Sequence, residues 1–125
     1  MTDTAYVHTE ATCLKVREVL SLVGDKWSVL IVVLLGRGPK RFSEIKRVVE
    51  GISQRMLTLT LRNLERDGLV TRTVTPTIPP RVDYELTDLG RSLCEPVQSL
   101  NAWAMAHIAD IERSRTAFDR RQTMA

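Results

Sequence analysis

The amino-acid sequence predicts a mainly α-helical fold that carries one small β-hairpin. Apolar residues recur at helical spacing over most of the chain, as they do in amphipathic helices. Between Val70 and Leu86 the spacing changes to every second residue, which is typical of strands with one buried face. A heptad-like apolar stripe then runs from Leu93 to Ile111. We therefore expect one small domain, a hairpin and a long C-terminal helical region.

The basic residues are concentrated in the middle of the chain. The 125 residues are 43% hydrophobic and carry a net charge of +3, which suits one domain with an adequate core. From Arg37 to Arg81 there are ten Lys or Arg and four Asp or Glu, whereas the remainder has eight basic and eleven acidic residues. A localised excess of positive charge favours binding to nucleic acid, whose phosphates it neutralises.

Membrane insertion, metal binding and catalysis are not indicated. The longest apolar run, Trp27 to Leu35, is too short to cross a bilayer, so we expect a cytoplasmic protein. The two cysteines form no CxxC pair, and the two histidines, His8 and His107, are far apart, so neither a metal nor another cofactor is expected. Nothing resembles a nucleophile, base and acid set, which argues against an enzyme.

The first half of the domain reads as two helices. Residues 1–12 are polar and aperiodic, and we expect a flexible arm there. A first helix from Leu14 to Val23 ends at Gly24, and Asp25 caps a second helix from Lys26 to Leu35. The second helix is apolar nearly all round, which predicts the centre of the core. Its expected apolar stripe is Trp27, Leu30, Ile31, Leu34 and Leu35.

Two further helices follow in a helix-turn-helix arrangement. After a turn at 36–39 and a brief extended step at 40–42, Ser43 is the expected N-cap of a third helix. Ser53 caps the fourth helix, and Gly68 suits the left-handed residue just past its end. Short helices joined by a tight turn, the second with an exposed basic face, are typical of helix-turn-helix proteins.

The fourth helix has one face for a core and another for an anion. Leu57, Leu61 and Leu64 cluster on one side, and a basic and polar set lies opposite. Arg, Thr and Gln are side chains that reach phosphates and base edges in a major groove. The alternative is a solvated helix with an accidental basic face. The exposed set comprises Gln54, Arg55, Thr58, Leu59, Arg62 and Arg66.

We assign base readout to four residues of this helix and backbone contacts to three cations outside it. The former are Gln54, Arg55, Thr58 and Arg62, and the latter are Lys40, Arg41 and Arg81. The whole predicted DNA-binding set is Lys40, Arg41, Ser43, Ser53, Gln54, Arg55, Thr58, Leu59, Arg62 and Arg81.

The predicted hairpin is two-stranded. Its loop, residues 76–80, holds three prolines, so it should be stiff and exposed, with Arg81 at the tip. Because an isolated hairpin is only marginally stable, we place Val82, Tyr84 and Leu86 against the core.

The C-terminal region is predicted to form a homodimer. Thr87 caps it, Pro96 should cause a kink or a fresh start, and the apolar stripe is longer than a small core needs. The alternative is a helix folded back on its own domain. We divide the chain into a DNA-binding domain at 13–90, dimerisation helices at 91–112, which the first helix could join, and a frayed basic tail at 113–125. The predicted dimer residues are Leu93, Val97, Leu100, Trp103, Ala104, His107, Ile108 and Ile111.

The order of elements is that of a winged helix-turn-helix, and seven stretches resemble one bacterial family. They are Cys13, 24–27, 41–45, 51–58, 64–70, 80–84 and 86–90. On these stretches the chain resembles the HxlR-type regulators, which are related to the MarR group. The resemblance implies a dimeric transcription factor that binds pseudo-palindromic operator DNA, with the helix after Ser53 in the major groove and the Arg81 wing on phosphate or in the minor groove.

Three points stay open within that resemblance. Leu59 stands where the family usually has a polar or charged residue, and it either rests on thymine methyls or turns inward. Cys13 matches a position that senses oxidants or electrophiles in part of the family. Lys15 and Arg17 would support a reactive thiolate there, whereas Glu10 would oppose it, and a buried structural cysteine is the alternative. Cys94 is expected to be a packing residue.

Two other functions remain open from the sequence. The basic face could dock an acidic protein, since winged helices also serve as protein-interaction modules. Alternatively, a small molecule in the dimer cleft could switch the regulator.

Overall fold

The computed structural model describes residues 10–124 and contains five helices and a three-stranded antiparallel sheet in that range. The mainly α-helical winged fold is therefore confirmed. None of the described helices combines the length and the apolarity that crossing a membrane requires. The elements are α1 (Glu10–Gly24), α2 (Lys26–Leu35), β1 (Lys40–Arg41), α3 (Phe42–Val48), α4 (Gln54–Arg66), β2 (Val70–Thr75), β3 (Arg81–Leu86) and α5 (Asp88–Met124).

The N-terminal helix is longer than its apolar pattern indicates. It begins at Glu10, so the arm expected at 1–12 is wrong for residues 10–12, and residues 1–9 lie outside the described range. The cap between α1 and α2 is confirmed. Asp25 Oδ1 accepts the Trp27 N–H at 3.3 Å, and Asp25 Oδ2 accepts the Ser28 hydroxyl at 2.7 Å.

Ser43 is not the N-cap of the third helix. α3 begins at Phe42, the residue before Ser43, and its N-cap is Arg41. Glu44 Oε1 accepts the N–H of Arg41 at 2.8 Å. This carboxylate satisfies the backbone at the start of the helix, so a serine cap is unnecessary. Ser43 becomes the second helical residue, and its side chain is exposed.

Both predicted ends of α4 are confirmed. Ser53 Oγ accepts the Met56 N–H at 3.0 Å, and Gly68 follows the helix with a φ of +79°. That left-handed conformation favours glycine because it lacks a Cβ. The position and length of α4 are thus fixed by its flanking residues.

The core is centred on α2 and on the inner faces of α3, α4 and the sheet. Ile31 and Val32 are fully buried, but Leu30 is exposed, so its expected place in the α2 stripe is wrong. Successive helical residues are about 100° apart, and the buried arc is turned toward Ser28 and Val32, away from Leu30. The core cluster comprises Ile31, Val32, Leu34, Leu35, Ile45, Val49, Ile52, Leu57, Leu61, Leu64, Leu69, Val70, Tyr84 and Leu86.

The sheet has one strand more than the predicted hairpin. Its order is β1-β3-β2, because the extended step before α3 pairs with β3. Lys40 lies opposite Tyr84 and Arg41 opposite Asp83. The inward face of β3 is confirmed, since Tyr84 and Leu86 are buried and Val82 packs against the core. The extra strand anchors the wing to the helix-turn-helix.

The described residues divide into two compact units, one that ends at Cys94 and one that begins at Glu95. Within the second unit the described residues 95–124 are helical throughout, so the fraying predicted for the tail is wrong for residues 113–124. Arg, Gln and Ala are good helix formers, and Arg113 pairs with Asp110 one turn earlier. α5 includes Pro96 within its bounds, so no new helix starts there.

Candidate nucleic-acid interface

α4 presents its polar face to solvent because its opposite face is held in the core. Leu57 and Leu64 are fully buried and Leu61 is 1% exposed, which fixes the rotation of the helix about its axis. Arg55 and Arg62 are exposed on the other side, as predicted. The structure therefore aims both guanidinium groups away from the protein.

The exposed side of α4 forms a shallow groove, which we call the α4 groove. It combines three arginines, two amides, one hydroxyl and one apolar side chain, with no acidic group among them. Asn63 was not singled out in the sequence, although it stands four residues after Leu59 and so shares its face. Arg66 was placed on this face but was not assigned a DNA contact. The groove is lined by Gln54, Arg55, Thr58, Leu59, Arg62, Asn63 and Arg66.

Leu59 turns outward. Its side chain is 51% exposed in the middle of the α4 groove, so the inward alternative is wrong. Beside it the Thr58 hydroxyl donates to the Gln54 carbonyl at 2.9 Å, which leaves its oxygen lone pairs able to accept. The groove thus offers donors, acceptors and one apolar contact, the mixture that base edges require.

The wing cations are not all on one side of the sheet. Asp83 lies opposite Arg41 in β1 and two residues from Arg81 in β3, so these three side chains share a face. The Arg81 guanidinium Nε pairs with Asp83 Oδ2 at 3.0 Å. Lys40 lies opposite Tyr84 and therefore belongs to the other face. The structure brings Arg41 and Arg81 together but separates Lys40 from them.

The two predicted serines have different surroundings. The Ser53 hydroxyl is engaged as the acceptor of the α4 N-cap, and it can still donate outward. Ser43 is exposed at the start of α3. Neither serine lines the α4 groove.

The two cysteines differ in their exposure to solvent. Cys13 is exposed in the first turns of α1, together with Lys15 and Arg17, so its alternative role as a buried hydrophobe is wrong for the single chain. Cys94 is partly buried against the core, and its Sγ lies 3.9 Å from the Val32 carbonyl oxygen. The prediction that Cys94 packs is confirmed.

The predicted dimer stripe has both covered and exposed members. Leu93, in the first unit, packs against the core, and Val97 is 2% exposed. In the second unit Trp103 stacks on His107 with ring centroids 4.6 Å apart, and His107 Nδ1 lies 2.8 Å from the Trp103 carbonyl oxygen. His107 and Ile111 are partly exposed. The exposed members of the stripe are Leu100, Trp103, Ala104 and Ile108.

The chain is similar in sequence and fold to known transcriptional regulators. The transcriptional regulator YtcD of Bacillus subtilis is 44% identical over 95 residues, which cover 76% of this chain and 75% of YtcD. The solved structure of the transcriptional regulator ytfH from Salmonella typhimurium is 39% identical, covers 80% of this chain and 89% of its own, and has a TM-score of 0.74.

A third similar structure is the redox regulator HypR in its reduced form. It is 39% identical, covers 79% of this chain and 98% of its own, and has a TM-score of 0.74. All three relatives are regulators, which agrees with the non-catalytic interpretation of the sequence. The family model described as HxlR-like helix-turn-helix matches residues 22–112. The chain belongs to the HxlR-like family of helix-turn-helix transcriptional regulators.

Proposed function

We propose that this transcriptional regulator binds a pseudo-palindromic DNA operator as a homodimer. In each copy α4 enters the major groove, where Gln54, Arg55, Thr58 and Arg62 face base edges. Arg41 and Arg81 contact the sugar-phosphate backbone from the sheet. The observation that carries the proposal is the α4 groove, an outward surface of guanidinium, amide and hydroxyl groups without an acidic residue.

A titration against selected DNA tests this proposal. Duplexes enriched from a random pool by the protein itself are labelled, and binding is measured by fluorescence anisotropy at several salt concentrations. We expect affinity to fall steeply with salt, because each neutralised phosphate releases counterions. The double variant Arg55→Ala/Arg62→Ala should bind its selected duplexes weakly and lose most of the sequence preference, because these two arginines face base edges.

A charge-matched control separates the α4 groove from net charge. Arg115 and Arg120 are exposed in the second unit. The variant Arg115→Ala/Arg120→Ala loses the same formal charge and should retain both affinity and sequence preference. If the two double variants weaken binding equally, or if the parent protein shows no sequence preference, the proposal is wrong.

The proposed dimer rests on apolar side chains that a single chain leaves in water. Leu100, Trp103 and Ile108 are each more than half exposed in the second unit. Leu14, Val19 and Leu20 of α1 are exposed to a similar extent. Burial of such side chains against a second copy is favourable at about 25 cal/mol for each Å² removed from water.

The dimer is tested by sedimentation at micromolar protein. Trp103→Glu/Ile108→Glu should shift the population toward monomer, since two carboxylates would enter the interface. Phe118→Glu is the control, because Phe118 is exposed on the same helix beyond the predicted stripe. A parent protein that sediments as a monomer would contradict the dimer.

We further propose that modification of Cys13 by an oxidant or electrophile changes DNA affinity. The thiol is exposed on α1, so a small oxidant or electrophile can reach it from solvent. A similar protein, HypR, is described as a redox regulator and has been solved in reduced and oxidised forms. Iodoacetamide, which alkylates a thiol with loss of iodide, should alter operator binding of the parent protein and of Cys94→Ser, but not of Cys13→Ser. Unchanged binding by protein in which mass spectrometry finds Cys13 modified would exclude this role.

A further inference from the structure

The tip of the wing carries an apolar side chain that nothing in its own unit covers. Ile78 is 101% exposed, in the loop at 76–80 that joins β2 to β3. The loop contains three prolines and a threonine besides Ile78, and no charged residue. A wing that only touched phosphates would be expected to end in Lys or Arg. The tip is therefore built for a different contact.

Hydrogen bonds and prolines restrict the backbone on both sides of Ile78. The Thr77 N–H donates to the Thr75 carbonyl at 2.8 Å, and the Thr77 hydroxyl donates to the Pro79 carbonyl at 2.8 Å. The second of these bonds spans Ile78. The rings of Pro76, Pro79 and Pro80 also fix φ around it, so little conformational entropy remains to be lost on binding.

The wing is long enough to reach the groove next to the one that α4 enters. β2 and β3 each have six residues, which span roughly 17–20 Å at about 3.3 Å per residue. One turn of duplex is about 34 Å, so the adjacent minor groove lies roughly half that distance along the axis. Val82 in β3 still packs against the core, and beyond it every residue of the loop at 76–80 is exposed.

The structure thus assigns Ile78 a role that deepens the proposed DNA-binding function and rests on it. We propose that Ile78 enters the minor groove beside the α4 site and wedges between two stacked base pairs, bending the duplex toward the major groove. Apolar side chains of this kind unstack base steps in architectural DNA-binding proteins. Pyrimidine–purine steps unstack most readily, so the wedge would favour such a step at a position that α4 does not touch.

The proposal is tested with Ile78→Ala on the full-length protein. Selected duplexes carry 2-aminopurine at successive positions in the flanking minor-groove region, because the fluorescence of this base rises when it is unstacked. The parent protein should brighten one position in each half-site, and Ile78→Ala should abolish that signal. Affinity should fall roughly tenfold, as expected for losing the burial of most of an isoleucine side chain.

Salt dependence distinguishes the wedge from an ionic contact. An apolar insertion releases no counterions, so Ile78→Ala should leave the slope of log K against log salt unchanged. Val74→Ala is the matched control, because Val74 is an exposed apolar residue on the wing strand below the tip. It should keep the 2-aminopurine signal and most of the affinity.

Three results would overturn the wedge. The parent protein could bind its selected duplex with no bright position, or Ile78→Ala could bind with unaltered affinity and signal. Alternatively, Ile78→Ala could change the sedimentation of the DNA-free protein, which would show that Ile78 contacts another protein copy. In each case salt-dependent, sequence-selective binding by the parent protein would leave the proposed regulator function intact, whereas its absence would remove both.

Discussion

The Arg81 guanidinium is held by the carboxylate of Asp83, with Nε 3.0 Å from Oδ2, at the outer end of the wing. Asp83 also lies opposite Arg41 across the β1–β3 pair. One carboxylate therefore stands between two of the cations assigned to the DNA backbone. It reduces their combined charge and orients Arg81 before any DNA is bound.

Removal of this carboxylate should strengthen DNA binding of all sequences. In Asp83→Asn, Arg81 loses its ion-pair partner and Arg41 loses a negative charge on the opposite strand, which raises sequence-independent affinity and steepens its salt dependence. Anisotropy titrations with selected and random duplexes measure both. Glu85→Gln removes the same charge from an exposed site on the same strand, and it should have a smaller effect. Equal effects of the two variants would mean that only net charge matters.

Leu59 should determine preference for thymine at one position of each half-site. Its exposed side chain lies among arginines in the α4 groove, where it can contact a thymine methyl but cannot donate a hydrogen bond. Thymine-to-uracil substitution, scanned along the selected duplex, should weaken the parent protein at one position by roughly threefold to tenfold. Leu59→Ala should be insensitive to that substitution. A parent protein that tolerates uracil everywhere would rule out the methyl contact.

Gly90 should not tolerate a methyl group. A Cβ at this position would overlap the Leu69 carbonyl oxygen and lie 3.0 Å from Leu86 Cδ2. Because the obstruction is backbone, Gly90→Ala should lower the free energy of unfolding by roughly 2 kcal/mol or more, measured by urea denaturation. Gly24→Ala is the control, since a Cβ there meets nothing within 4 Å. It should be neutral or slightly stabilising, because alanine is the better helix former.

The two thiols should differ in their rates of alkylation. Cys13 is exposed, whereas Cys94 is partly buried and its Sγ contacts backbone carbonyls. Iodoacetamide should therefore label Cys13 first in the folded protein, and both thiols should react at similar rates in urea. Peptide mass spectrometry at successive times gives the two rates. Faster labelling of Cys94 in the folded state would contradict this assignment.

Most of the fold could be predicted because its signals are local. Ser53 and Gly68 mark the two ends of α4 by cap chemistry, and the leucine spacing identifies its buried face. The third strand was missed because it has only two residues and depends on a partner more than forty positions away. The prediction for Ser43 was wrong because the helix already begins at Phe42, where the Glu44 carboxylate accepts the N–H of Arg41, the N-cap residue.

The candidate site likewise has one part that the sequence predicts and another that it does not. Helical periodicity predicts that the arginines of α4 are exposed on one face, and it places Asn63 on that same face. The pairing of Arg81 with Asp83 also lies within reach of strand alternation, although it was not anticipated. Lys40 and Arg41 point to opposite faces because successive strand residues alternate, but the pairing of β1 with β3 decides which of them shares a face with Arg81, and sequence spacing alone does not reveal that pairing.

Thr87 has a consequence for how regulation can work. Its hydroxyl donates to the Gly68 carbonyl at 2.6 Å and accepts the Gly90 N–H at 3.0 Å, while its own N–H donates to the Leu69 carbonyl at 3.0 Å. The turn that leaves α4 is thereby clamped to the strand that returns from the wing. We expect α4 and the wing to move as one rigid body. An effector would then weaken operator binding by changing the relative orientation of these rigid bodies in the two copies of the dimer, without disordering either one.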